Sequence, residues 1–106
     1  MVKFLEARGF EVLATNLRLG RLELDIVAKH GTTVAVVEVR TRGSGAWTSA
    51  LGSIDAAKRG RIRRAGERLW QRRFRDDQSV LRLRYDVAAV SFEHGDPEVE
   101  YIVAAF

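Results

Sequence analysis

The chain has 106 residues, 46% of them hydrophobic, with 18 Lys and Arg against 14 Asp and Glu, a net charge of +4, two histidines and no cysteine. That length suits one domain, since compact domains usually run to about 100–150 residues and a second core would have too little apolar surface to bury. The composition excludes a disulfide framework, a thiolate metal site and a histidine-rich zinc centre, and no apolar run approaches the roughly 20 residues of a membrane-spanning helix. Met1 to Phe10 alternate charged and apolar side chains and lack the features of a secretory signal, so a cytoplasmic location with no membrane partner is expected.

Residues 2–8 read as the end of a helix, with Phe4 and Leu5 as a small apolar face and Gly9 as its stop. Phe10 to Leu19, Leu22 to Ala28 and Thr33 to Thr41 are rich in β-branched and aliphatic residues and read as three antiparallel strands. Arg42 to Gly52, rich in Gly, Ser and Thr around Trp47, suits a functional loop. Ser53 is then placed to cap a helix from Ile54 to about Phe74, with Ile54, Ala57, Ile62, Ala65 and Leu69 on one stripe and Arg59, Arg63 and Glu67 pointing away. After a polar break at Asp76 to Ser79, Leu83 to Phe92 reads as a strand, His94 to Pro97 as a turn, and Glu98 to Val103 as a last strand. The order α, β, β, β, α, β, β favours a single α/β domain over 1–106, a mixed sheet carrying helices on its faces.

Alternation puts Glu23, Asp25 and Val27 on one face of the second strand and Leu22, Leu24 and Ile26 on the other. In the third strand it puts Glu38 and Arg40 with Val34 and Val36. A hairpin about His30 and Gly31 sets Glu23 opposite Glu38 and Asp25 opposite Val36, leaving Asp25 and Glu38 as diagonal neighbours about 7–8 Å apart. Like charges so close need compensation, by a divalent cation or by Arg40, and a hard oxygen-rich site suits magnesium or manganese. The plainer alternative is an exposed sheet face with ion pairs to Arg21 and Arg40 of little energetic worth. Glu38 argues against it, because it interrupts the nearly all-aliphatic run Thr33 to Val39.

From Lys58 to Arg75 nine basic residues stand against one acid, Glu67. A merely solvated helix usually mixes signs, so this run points to nucleic acid, with Arg59, Arg63, Arg64, Arg68, Arg72 and Arg73 as phosphate contacts. Arg42 and Trp47 would border the acidic site, Trp47 stacking on a base or, equally, plugging the loop over the core. His30 and His94 read as turn residues without triad partners, and Gly43, Gly45 and Gly52 lack phosphate-loop spacing.

Leu22-Glu23-Leu24-Asp25-Ile26-Val27-Ala28 followed by Val37-Glu38-Val39-Arg40-Thr41-Arg42 resembles the YraN family of bacterial proteins, which have a restriction-endonuclease-like fold. The resemblance extends through Gly9-Phe10, Asn16-Leu17-Arg18, Ile54-Asp55-Ala56-Ala57-Lys58, Arg61-Ile62-Arg63-Arg64-Ala65, Tyr85-Asp86-Val87-Ala88-Ala89-Val90 and Ala104-Ala105-Phe106, covering nearly the whole chain. It implies the nuclease-superfamily pattern of Asp, then Glu-x-Lys, with Asp25 and Glu38 holding magnesium and Arg40 where the lysine belongs; Glu23, on the same strand face as Asp25, is placed to assist. It also implies a longer first helix with a Gly-Glu pair whose acid approaches the metal, a place that Glu6 does not match.

An arginine cannot give up its proton as a base, although its fork grips phosphate well. Lys58, on the apolar stripe between Ile54 and Ile62, is the residue placed to stand in for the missing lysine. The resemblance therefore implies a magnesium-dependent DNA endonuclease or junction resolvase, by analogy a homodimer acting on two strands. The alternative is a nucleic-acid-binding or partner-binding module that keeps the nuclease fold while Arg40 neutralises the acidic site.

Overall fold

The strand-rich first part of the chain folds back and forth as a meander, and the long helix then carries the chain across the sheet for a parallel return. A computed structural model describes residues 1–42 and 54–106, apart from the side chains of Arg42, Glu93 and His94. The elements are α1 (Val2–Ala7), β1 (Glu11–Leu19), β2 (Leu22–His30), β3 (Thr33–Arg42), α2 (Ala56–Leu69), β4 (Arg82–His94) and β5 (Asp96–Ile102). They form one five-stranded sheet in the order β1-β2-β3-β4-β5, with β3 and β4 parallel and the other neighbours antiparallel. This is the α/β architecture expected from the sequence, a mixed sheet flanked by helices. No helix among the described residues is long and apolar enough to cross a membrane.

Each face of the sheet carries its own core. Leu24, Val27, Val34, Val36, Val87 and Ala89 pack against Ile62, Ala65 and Leu69 of α2. Ile26, Ala28, Ala35, Val37 and Ala88 pack on the other side against Leu5 of α1, with Phe4, Phe10 and Tyr101 at the margin. The middle of β3 is thus buried on both faces, as a strand with a parallel neighbour and helices above and below should be.

Three expectations need correction. Leu24 and Val27 both lie under α2 while Ile26 lies under α1, so strict alternation fails around Asp25 and the acids of β2 do not share one face with Val27. The cause is a distortion shared with β1, where Asn16, at φ 49°, comes opposite Asp25 between the pairs Thr15–Ile26 and Leu17–Leu24. The helix begins two residues later than Ile54, at Ala56: Asp55 is its N-cap, accepting the backbone N–H of Lys58 at 2.8 Å, and Ala57 is exposed. Asp96 and Pro97 already belong to β5, because the turn closes tightly on Gly95 at φ +86°. The expected Arg42–Gly52 loop, with Trp47, and the expected Ser53 cap lie outside the described residues beyond the backbone of Arg42. α2 continues through a wider π-type turn, Trp70–Phe74, which keeps Phe74 in the core.

Candidate functional site

The site starts from strand register. Gly31 and Thr32 separate the paired residues His30 and Thr33, and the ladder runs back through Val27–Val36 to Ile26–Val37. One step further, Asp25 comes level with Glu38. There the described pairing stops, and Asp25 Oδ2 instead accepts the backbone N–H of Val39 at 2.9 Å. The expected pairing of Glu23 with Glu38 is therefore wrong by two residues. Gly31, at φ +60°, takes the left-handed conformation at the first turn position, which centres the hairpin on Gly31 and Thr32. Glu23 instead pairs across the sheet with Arg18, at 3.9 Å between largely exposed side chains, a contact of little energetic weight.

Glu38 is 4% exposed. A buried carboxylate is costly unless paired, and its partners come from two elements. Lys58 Nζ lies 3.0 Å from Glu38 Oε1, and Arg40 Nη2 lies 3.8 Å from the same oxygen. Lys58 is in reach because the Asp55 cap fixes the first turn of α2 and leaves this side chain facing the sheet. Burial pushes the Glu38 pKa up, the hydrogen bond from Lys58 pulls against that shift, and the nearby Asp25 carboxylate raises it further. Arg40 Nε is buried without a hydrogen-bond partner among the described residues.

Asp25, Glu38, Arg40 and Lys58 are thus brought together where β2 and β3 part. Two carboxylates of this kind fit a magnesium-sized ion, which is usually held by one or two acids and completes its shell with waters and substrate phosphate. Among the described residues no group of three or more acids or histidines is arranged for a metal.

The arginines of α2 do not form one face. Arg59 and Arg63 lie over the ring of Phe106, at 5.8 and 5.5 Å from its centre. Arg64, Arg68 and Arg72 border a hollow of about 380 Å³ with Glu67 and Gln71, and Arg72 and Arg73 border another of about 300 Å³. Two basic residues not counted among the phosphate contacts expected from the sequence, Arg21 and Arg61, line a hollow of about 100 Å³ with Leu22, Glu23, Lys58 and Ile62. Their signals were the position of Arg61 one helical turn after Lys58 and of Arg21 in the turn after Gly20. The side chain of Arg42 and the whole of Trp47 lie outside the described residues.

The model of the uncharacterised protein family UPF0102 matches residues 1–90. The chain belongs to that family. It is the family that the YraN resemblance identifies from the strand motifs. Among UPF0102 relatives, the chain is 52% identical over 107 residues to protein sce2912 of Sorangium cellulosum, covering 100% of this chain and 74% of the relative. It is 40% identical to a UPF0102 protein of Ectopseudomonas mendocina, over 96% of this chain and 83% of the relative. A UPF0102 protein of Geobacter metallireducens is 32% identical, over 99% of this chain and 84% of the relative.

Proposed function

We propose that this UPF0102 chain processes nucleic acid, hydrolysing a phosphodiester bond of DNA at the opening between β2 and β3 with magnesium or manganese, in the manner of an endonuclease or junction resolvase. The observation that carries this reading is the convergence of Asp25 and Glu38 at the end of their ladder, with Lys58 Nζ 3.0 Å from Glu38. Asp25 and Glu38 hold the ion. When bound, it supplies Lewis-acid polarisation of a phosphate oxygen.

Arg40, whose Nη2 lies 3.8 Å from Glu38, stabilises charge building on the phosphate through its guanidinium. Lys58 takes the place of the lysine for which Arg40 stands in the strand pattern, its ammonium reaching the site. From α2 it orients the attacking water or donates to the phosphate. The arginine-rich α2 supplies sequence-independent affinity through phosphate contacts.

A second reading has an observation of its own. The 3.0 Å pair of Lys58 with Glu38, with Arg40 beside it, already neutralises one acid, which suits a module that binds nucleic acid or a partner without cutting. A gel assay on branched and linear DNA with manganese separates the two. Metal-dependent cutting by the wild type that is abolished in Asp25→Ala and reduced in Lys58→Ala supports hydrolysis. Tight DNA binding without cutting on either substrate supports the binding module.

A further inference from the structure

α2 sorts its arginines by flank. On one flank Arg59 and Arg63 lean on Phe106, and Arg59 Nε also donates to the carbonyl of Ile54 at 3.0 Å. The other flank faces the β1–β2 turn, where Arg68 Nη1 donates to the carbonyl of Leu19 at 3.3 Å. Gly20 admits that guanidinium: its φ is +67°, and a Cβ there would stand 3.2 Å from Nη1. The contact braces the turn against the helix. The next residue, Arg21, then lies beside Lys58 and Arg61 around the hollow of about 100 Å³.

Further along the same flank come Arg64, Arg68 and Arg72 around the hollow of about 380 Å³. At about 1.5 Å of rise per residue, positions 58, 61, 64, 68 and 72 climb the helix in steps of roughly 4.5–6 Å. This row of cations begins at the lysine that touches Glu38.

We propose that a nucleic-acid strand engaged at the site runs along this flank alone, with one phosphate held between Arg21, Lys58 and Arg61 and the following ones at Arg64 and Arg72. The inference rests on the nucleic-acid reading above for its ligand, and not on cleavage. It adds Arg21 and Arg61 to the binding surface, makes Arg68 a positioning residue that braces the turn, and leaves Arg59 and Arg63 aside. Glu23 shares the small hollow, so its charge opposes the phosphate there. Its neutral variant should bind nucleic acid more tightly, the opposite of what a supporting metal ligand would do for metal-dependent function.

The test is fluorescence anisotropy of a labelled DNA strand and its duplex, in EDTA, over a range of salt, with two double variants that remove the same charge. Arg21→Ala with Arg61→Ala should weaken binding about tenfold or more and lower the salt slope by about one to two. Arg59→Ala with Arg63→Ala should change affinity by less than about twofold. Thermal melts check folding, and the Arg→Gln pair at 21 and 61 repeats the comparison if the alanines melt early. Equal losses in the two doubles, a larger loss at 59 and 63, or no binding by the wild type overturns the proposal. Because cutting plays no part in this measurement, a protein that binds by this flank yet never cuts defeats only the hydrolytic reading. One that cuts but loses affinity equally in both doubles defeats only this inference.

Discussion

Two buried carboxylates on opposite faces of the sheet are treated very differently. Asp86, on the α1 side, is fully buried and fully engaged: Arg84 reaches it twice at 2.9 Å, the Tyr101 hydroxyl donates at 2.6 Å and the backbone N–H of Ala104 at 2.8 Å. The pairing pushes the Arg84 pKa up, and burial together with the Asp86 acceptor pushes Tyr101 well above the ordinary tyrosine range. Glu38, on the α2 side, is nearly as buried but has one close cation, a second at 3.8 Å and an acid as neighbour. A buried charge with every lone pair satisfied holds a fold together, whereas one left short of partners beside another acid suits a site that is completed by a ligand.

The largest effect expected from this contrast is at Asp86. Asp86→Ala removes the shared acceptor of the partly buried Arg84, the Tyr101 hydroxyl and the Ala104 amide and should cost about 3–5 kcal/mol in urea unfolding; a loss below about 1 kcal/mol would break the comparison. Gly66→Ala should come next, at about 1–3 kcal/mol, because a Cβ there collides with the Tyr85 hydroxyl and ring and pushes α2 off β4. Asp55→Ala should cost about 1 kcal/mol by removing the N-cap of α2. It sharpens the comparison by loosening the turn that carries Lys58, so the proposed metal-dependent cutting of DNA should fall by more than this loss of stability explains.

The smallest stability effect is expected at Glu38→Gln, and it should depend on pH. The folded-state pKa of Glu38 is raised above 4.5, so the folded protein binds this proton more tightly than the unfolded chain does. The stability that this proton contributes is complete below the unfolded value and is lost as pH rises through the raised one. Glutamine keeps the neutral form, so the variant should gain on the wild type in denaturant melts as pH climbs above 4.5. A pH-independent difference would show that Glu38 is not strained.

Much of this was legible in the sequence because periodicity reports local geometry. The order of elements, the inward face of Glu38 and Arg40 in β3, and the reach of Lys58 from the apolar side of α2 all follow from spacings of two or about 3.6 residues. Register was not legible. Moving the centre of the β2–β3 turn by one residue shifts every pair by two, and this alone brings Asp25, in place of Glu23, level with Glu38. The break in alternation at Asp25 arises from Asn16 on the neighbouring strand, which a strand read by itself does not reveal. Asp86 was missed as a centre because its partners Tyr101 and Ala104 lie 15 and 18 residues away. The division of the α2 arginines likewise depends on Phe106 and Leu19, both distant in sequence.

Calorimetric titration of manganese into the wild type, Asp25→Ala and Glu38→Gln tests the central claim most directly, since the account requires the two carboxylates at the end of the β2–β3 ladder to act as one cation site. Saturable binding by the wild type and its loss in both variants, with their folds intact by circular dichroism, is the predicted result. Absence of binding by the wild type, or binding undiminished in Asp25→Ala, would contradict the account and leave Glu38 as a carboxylate neutralised by Lys58 and Arg40 alone.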